Sequence, residues 1–164
     1  MDEAHQRDLR ATMAQFASGV AVITTTYAGE QYGMTVSAFC SVSLEPPLAL
    51  VSLARTSRTC AMIRGSGVYA VNVLAAAQLS LARRFAGQDP RGKTFADIPW
   101  HRGVTGAPLL DQALARIECR VAAEYPGGDH ALLLGSVVAI ERLDQPAAAH
   151  PLLYYAATFL GGRS

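Results

Sequence analysis

Residues 33–74 read GMTVSAFCSVSLEPPLALVSLARTSRTCAMIRGSGVYAVNVL and restrict the fold more than any other stretch of the chain. Their apolar, β-branched runs have the length of strands. Pro46-Pro47 and Gly65-Ser66-Gly67 punctuate them, and they do not alternate strictly with helices. Threaded among the runs are Thr35, Ser37, Ser41, Ser43, Ser52, Thr56, Ser57 and Thr59, with one acid and three arginines. A half-buried strand surface rich in small hydroxyls and backbone donors suits a flat, polar-edged ligand that carries a phosphate.

The flanking segments extend the pattern. Leu9, Met13, Phe16 and Ala17 recur at helical spacing, which predicts an amphipathic helix over residues 4–17 closed by Gly19. VAVITTTY at 20–27 reads as a strand, and residues 28–30 as a turn into a second strand at 31–37. LALVSLA at 48–54 predicts a buried strand, and Ser57 an N-cap for a short helix ending near residues 65–67. VYAVNVL at 68–74 is a further strand, and Leu79, Ala82, Phe85 and Ala86 place a helix over 76–86. Residues 87–108 break into Gly, Pro and charge, the composition of a long irregular segment. Strand-like runs follow at 113–125 and 131–142 about a turn at 126–130, and a last strand at 152–159. Six or seven strands with few helices favour a closed antiparallel sheet over a doubly wound one.

The chain has 164 residues, the size of one domain, and residues 1–164 are read as a single unit. A net charge of +1 gives no electrostatic footprint for nucleic acid or an anionic membrane. No continuous apolar run reaches the length of a membrane span, and the charged N-terminus has no secretory core. Cys40, Cys60 and Cys119 are odd in number and far apart, which fits reduced thiols in a cytoplasmic protein. His5, His101, His130 and His150 have no ligand spacing, so no metal site is expected.

Four blocks in order carry a family resemblance: MAQFASGVAVITT at 13–25, GMTVSAFCSVSLEPPLALVSLARTSRT at 33–59, SGVYAVNVLAAAQLSLARRFA at 66–86, and GGDHALLLGSV with PLLYY at 127–137 and 151–155. Together they resemble the flavin reductase family. The resemblance implies a mainly β fold, a six-stranded antiparallel split β-barrel (the FMN-binding split barrel) with short flanking helices, assembled as a homodimer with flavin at the subunit boundary. The activity it implies is hydride transfer from NADH or NADPH to FMN, with FAD as an alternative flavin. It further implies a transient flavin-dependent monooxygenase partner. Two other readings stay open: a flavoprotein oxidase or electron-transfer protein that keeps its flavin, and a non-catalytic flavin- or haem-binding module. Two departures stand out. Many members read Ser-Ser-Phe where this chain has Ser37-Ala38-Phe39, so position 38 offers a backbone donor and no hydroxyl. Many carry His or Arg after the terminal Leu-Leu-Tyr, where this chain has Tyr155-Ala156-Ala157.

The resemblance assigns roles to particular residues. Met34, Thr35, Val36, Ser37 and Ala38, with Ser52, are expected to border the flavin and hydrogen-bond its polar edge. Arg55, Ser57 and Thr59 sit where a strand enters a helix, a setting that attracts a phosphate. Phe85 is expected to cover part of the flavin, Lys93 to reach the phosphate, and Tyr155 to lie at the flavin rim. Gly128, Asp129 and His130 form the turn implied to lie near the nicotinamide, with Asp129 orienting the turn and His130 holding the nicotinamide ring. Hydride transfer requires no acid or base on the carbon itself, only two rings with reacting atoms about 3–3.5 Å apart.

Overall fold

A computed structural model describes residues 2–89, 92–143 and 149–160. In chain order the elements are α1 (Glu3–Met13), β1 (Ser18–Gly19), β2 (Ala21–Tyr27), β3 (Glu30–Val36), β4 (Phe39–Leu44), β5 (Pro47–Ala54), α2 (Arg58–Ser66) and β6 (Val68–Val73). A single 3-10 turn (Ala76–Gln78) leads into α3 (Leu79–Phe85). Then come β7 (Trp100–Arg102), β8 (Pro108–Leu110), β9 (Ala115–Gly127), β10 (His130–Arg142), β11 (Leu153–Tyr155) and β12 (Thr158–Leu160).

Seven strands form the main sheet in the order β3-β2-β6-β9-β10-β5-β4, every neighbouring pair antiparallel. Its two edge strands, β3 and β4, are consecutive in the chain, with only Ser37 and Ala38 between them. Seven flat strands about 4.8 Å apart hold their edges roughly 29 Å apart. Three Cα steps, from residue 36 to residue 39, span at most about 11 Å. The sheet therefore rolls up, and its edges meet at Ser37-Ala38. The fold is mainly β as expected, with seven strands in the rolled sheet.

Rolling creates two apolar layers that share β2. Ala21 and Ile23 face the interior with Val36, Val51, Leu53, Ile63, Tyr69, Val71 and Leu133. Val20 and Val22 face the outer layer with Leu74, Phe85, Leu110 and Leu152. This is the two-residue period of a strand buried on both faces, and it explains why residues 20–25 carry no charge. Two of the strand's three threonines are accommodated by paired hydroxyls, Thr24 donating to the Pro108 carbonyl at 2.5 Å and Thr25 to the Val68 carbonyl at 2.8 Å.

Several sequence expectations shift. The first helix ends at Met13 rather than near residue 17, and Gly19 lies in β1 instead of closing the helix. α1 buries none of its residues, so its apolar face is open. β4 was not anticipated: its Ser and Cys residues lack strand character, but it pairs along β5 as an edge strand. The irregular segment contains the β7–β8 hairpin. The last strand is in fact a hairpin, β11 against β12, whose turn residues Ala156 and Ala157 have φ of 47° and 60°. Alanines rarely adopt such angles, so no turn signal marked the reversal.

Candidate functional site

The seam at Ser37-Ala38 lies between two open grooves. One, about 420 Å³, runs between β3 and α3 and is lined by Thr35, Ser37, Arg83, Ala86 and Gln88. The other, about 680 Å³, lies beside β4 and β5 and is lined by Ser37, Ala38, Phe39, Cys40 and Ser52, with Met13 and Phe16 beside them. Tyr154 and Ala157 of the C-terminal hairpin border both. The hairpin is held there by two contacts to the end of α1. The Ala156 N–H donates to the Ala14 carbonyl at 2.8 Å, and the Tyr155 hydroxyl donates to Gln15 Oε1 at 2.9 Å.

Ser37 and Ala38 are exposed, and neither N–H has a hydrogen-bond partner among the described residues. They lie outside both ladders, so the split in the sheet leaves two adjacent donors facing open space. The Ala38 carbonyl is occupied, accepting from the Ser52 N–H at 3.1 Å, which fixes the seam against β5. Met34 and Val36 turn inward and pack on the interior layer. Thr35 turns outward, and its hydroxyl donates to the Ala82 carbonyl of α3 at 2.6 Å. That proton is committed to closing α3 onto β3, which leaves the Thr35 oxygen as an acceptor only.

From the seam the candidate residues continue across the sheet. Ser52 pairs with Leu132 and Ala54 with His130, so the 127–130 turn begins two ladder pairs beyond Ser52. The Arg55 N–H donates to the Asp129 carbonyl at 3.0 Å and anchors that turn to the entrance of α2. Gly128 has φ of 71°, which glycine adopts without strain at the first central position of a two-residue hairpin. His130 Nδ1 lies 2.8 Å from Asp129 Oδ1. This hydrogen bond is the main reason the Asp129 carboxyl titrates below its ordinary value. With Nδ1 facing the carboxylate, Nε2 is the ring nitrogen left to meet a ligand. Ser57 is the N-cap of α2, its oxygen accepting from the Cys60 N–H at 3.2 Å. The hydroxyl proton of Ser57 remains available at the positive end of the helix.

Other expected positions fall elsewhere. Thr59 is fully buried, and its hydroxyl has no hydrogen-bond partner among the described residues, so it faces the interior and not an open phosphate site. Phe85 is also fully buried, packed on Phe95 with ring centroids 5.0 Å apart and pressed against Gly33. Its ring belongs to the outer core layer and presents no open face. At the C-terminus Tyr154, not Tyr155, lines the grooves. Lys93 lies away from the seam, beside Tyr32 and Arg58. Nothing in the sequence distinguishes Arg83 as a groove residue from Arg84. The two are adjacent, yet Arg84 is 3% exposed and bidentate on Asp97, at 2.5 and 3.0 Å, while Arg83 is exposed.

Comparison with known proteins agrees with this geometry. The flavin reductase like domain matches residues 13–162. The reductase subunit HsaB of a flavin-dependent monooxygenase from Rhodococcus jostii (strain RHA1) is 38% identical over 155 residues, covering 94% of this chain and 77% of that protein. An NADH-dependent flavin reductase from a Rhodococcus species is 39% identical, covering 92% of this chain and 83% of that protein. Among solved structures, flavin reductase PheA2 in its native state superposes with a TM-score of 0.87 at 38% identity, covering all of both chains. Nitrilotriacetate monooxygenase component B from Mycobacterium thermoresistibile gives a TM-score of 0.91 at 34% identity, covering 98% of this chain and 88% of that one. A match across nearly the whole chain, on a sheet of the same architecture, means that the chain belongs to the flavin reductase like domain family.

Proposed function

We propose that this protein is an NAD(P)H-dependent flavin reductase that passes reduced FMN or FAD to a separate monooxygenase. The observation that carries the reading is the pair of unpartnered amides at Ser37 and Ala38, set between two grooves at the seam of a flavin reductase like domain. When bound, the flavin supplies a ring that accepts a hydride at nitrogen. The Ser37 and Ala38 amides are placed to donate to its polar edge, where donors favour the charge that develops on reduction. Ser52 holds the seam in place. Ser57 and the first turn of α2 offer a hydroxyl and unpaired N–H groups to a flavin phosphate, an interaction of roughly 0.3–1 kcal/mol at an exposed helix end. His130, held by Asp129 through Nδ1, would offer Nε2 to a nicotinamide carboxamide and would contribute orientation of that ring.

The same reading takes the rolled sheet as a split barrel and the molecule as a cytoplasmic homodimer. Phe16, Leu44 and Ile140 are 83%, 89% and 78% exposed, large apolar surfaces that a second subunit is placed to cover. Cys40, Cys60 and Cys119 are free thiols, compatible with a reducing compartment. Among the described residues no helix is long and apolar enough to cross a membrane.

Steady-state oxidation of NADH and of NADPH, each with FMN, FAD and riboflavin at matched concentrations, tests the activity. Flavin-dependent oxidation is expected. Failure to oxidise either nicotinamide with any of the flavins would remove the proposal.

A further inference from the structure

The groove between β3 and α3, about 420 Å³, carries a single full charge. Among the described residues that line it, only Arg83 is charged at neutral pH, and it shares the groove with Thr35, Ser37, Gln88 and the uncharged C-terminal hairpin. We propose that Arg83 makes this groove hold the reduced, anionic flavin ring more tightly than the oxidised, neutral one. The inference rests on the flavin reductase reading for the ligand, and on the groove's own charge for the preference.

The charge is uncompensated because a neighbour takes the nearby acids. Arg84 is 3% exposed and bidentate on Asp97 at 2.5 and 3.0 Å, with its Nε 3.5 Å from Asp89. Arg83 is exposed and has neither an ion pair nor a side-chain hydrogen bond among the described residues. Successive helical residues point about 100° apart, so the inward anchoring of Arg84 turns Arg83 outward. The Thr35 hydroxyl donates to the Ala82 carbonyl at 2.6 Å, one residue before Arg83, which fixes this turn of α3 against β3. Arg83 and the unpartnered Ser37 N–H thus belong to one groove, and no described carboxylate lines it to compete with a ligand.

Hydride transfer changes the charge of the flavin ring more than its outline. The nicotinamide gives up one proton with two electrons and becomes a cation. The neutral flavin ring takes them at nitrogen and becomes an anion, with no further proton required. A site that separates the two forms must therefore read charge. Backbone donors do so only as dipoles, whereas a guanidinium is a full charge that does not titrate away. Water screens an exposed cation, but a ring seated in the groove displaces that water, and the attraction between unit charges grows as the local dielectric falls. The protein then binds its product more tightly than its substrate, which suits delivery to a second protein.

Anaerobic calorimetric titration with oxidised and with dithionite-reduced FMN and riboflavin tests the preference without any nicotinamide. Wild type is compared with Arg83→Gln and Arg83→Lys, and circular dichroism checks that both variants are folded. Arg83→Gln is expected to weaken reduced FMN about five- to tenfold more than oxidised FMN. For a two-electron couple that difference lowers the potential of the bound flavin by about 20–30 mV. Arg83→Lys should keep most of the preference, and high salt should shrink it in wild type. Riboflavin should show the same difference, because the ring and not the phosphate carries the change of charge. Equal weakening of both oxidation states, or no weakening of either, overturns the proposal. So does an effect on FMN that riboflavin lacks, which would put Arg83 at the phosphate. An Arg83-dependent preference in a protein that oxidises no nicotinamide keeps the inference and removes only the reductase reading. Nicotinamide oxidation with an unchanged preference does the reverse, and failure to bind flavin in either state removes both.

Discussion

Gly135→Ala tests whether the strip of candidate residues depends on one buried tyrosine. Gly135 lies at a register shift in β10, beneath the Tyr69 ring. A Cβ there would clash first with Tyr69 Oη, and would lie 2.8 Å from Tyr69 Cζ and 2.7 Å from Cys119 Cβ. Tyr69 has no exposed surface, so its ring has nowhere to swing. Its hydroxyl bridges the Ala49 carbonyl of β5 at 3.2 Å and the Leu133 carbonyl of β10 at 3.4 Å, the same two strands that carry Ser52 and His130. Overpacking costs about 1–3 kcal/mol, and forcing the hydroxyl off its acceptors costs about 1–3 kcal/mol more. The lower chain entropy of alanine in the unfolded state returns roughly 0.4–1 kcal/mol. The expected loss is about 2–5 kcal/mol, a large share of the roughly 5–15 kcal/mol of a typical domain.

The cause can be isolated with Tyr69→Phe, which deletes the atom in the closest contact. Alone it should cost about 1 kcal/mol for the hydrogen bond. In its background Gly135→Ala should cost at least about 1 kcal/mol less than in wild type, because the atom in the nearest contact is gone. Urea unfolding followed by Trp100 fluorescence, at one fixed protein concentration, gives the four stabilities. The KM for flavin should rise in the single Gly135 variant as β5 and β10 shift. Additivity of the two substitutions within about 0.5 kcal/mol would refute the steric account.

Three further outcomes are expected. His130→Ala should lower kcat/KM for the nicotinamide about five- to thirtyfold, the loss of one oriented hydrogen bond of roughly 1–2 kcal/mol, with a smaller change in flavin affinity measured by fluorescence quenching. Ser57→Ala should narrow the preference for FMN over riboflavin, whereas equal weakening of both flavins would reduce Ser57 to a helix cap worth about 1 kcal/mol of stability. Burial pushes the Cys119 thiol from 9.0 up to about 11, so the folded state holds that proton more tightly than the unfolded chain. Stability that is complete below pH 9 should fall as pH rises toward 11. Cys119→Ala should lessen that fall without abolishing it, since burial also raises the Tyr69 hydroxyl.

Legibility in the sequence followed the strength of local signals. β2, β5 and β6 were readable because burial on both faces or on one leaves an apolar, β-branched run, and α2 because Ser57 and Gly67 mark its two ends. β4 was not, because an edge strand with five of six residues outside the core needs no apolar pattern. The end of α1 was not, because Phe16 and Ala17 extend a helical period that the chain abandons after Met13. The Ala156-Ala157 turn was hidden for the opposite reason: residues that resist a positive φ occupy it, and its partners in α1 and β1 hold it in place.

The candidate site was legible where its features lie in the backbone or in the order of strands, and illegible where they depend on which way a side chain turns. Ser37 and Ala38 were singled out by motif, and their unpartnered donors follow from the rolling of the sheet, which removes two residues from both ladders. The Ala38 substitution leaves that donor intact, since an alanine N–H is as good as a serine N–H. Thr35, Thr59 and Phe85 lie in the same blocks and were chosen by the same logic. Their side chains nonetheless serve α3, the interior and the outer core layer. A strand's two-residue period assigns Thr35 and Ser37 to one face, where α3 ties down the Thr35 hydroxyl but not Ser37, leaving Thr35 half-buried in the groove wall and Ser37 exposed. The boundary of the site is thus set by the length of α3, whose last helical residue is Phe85.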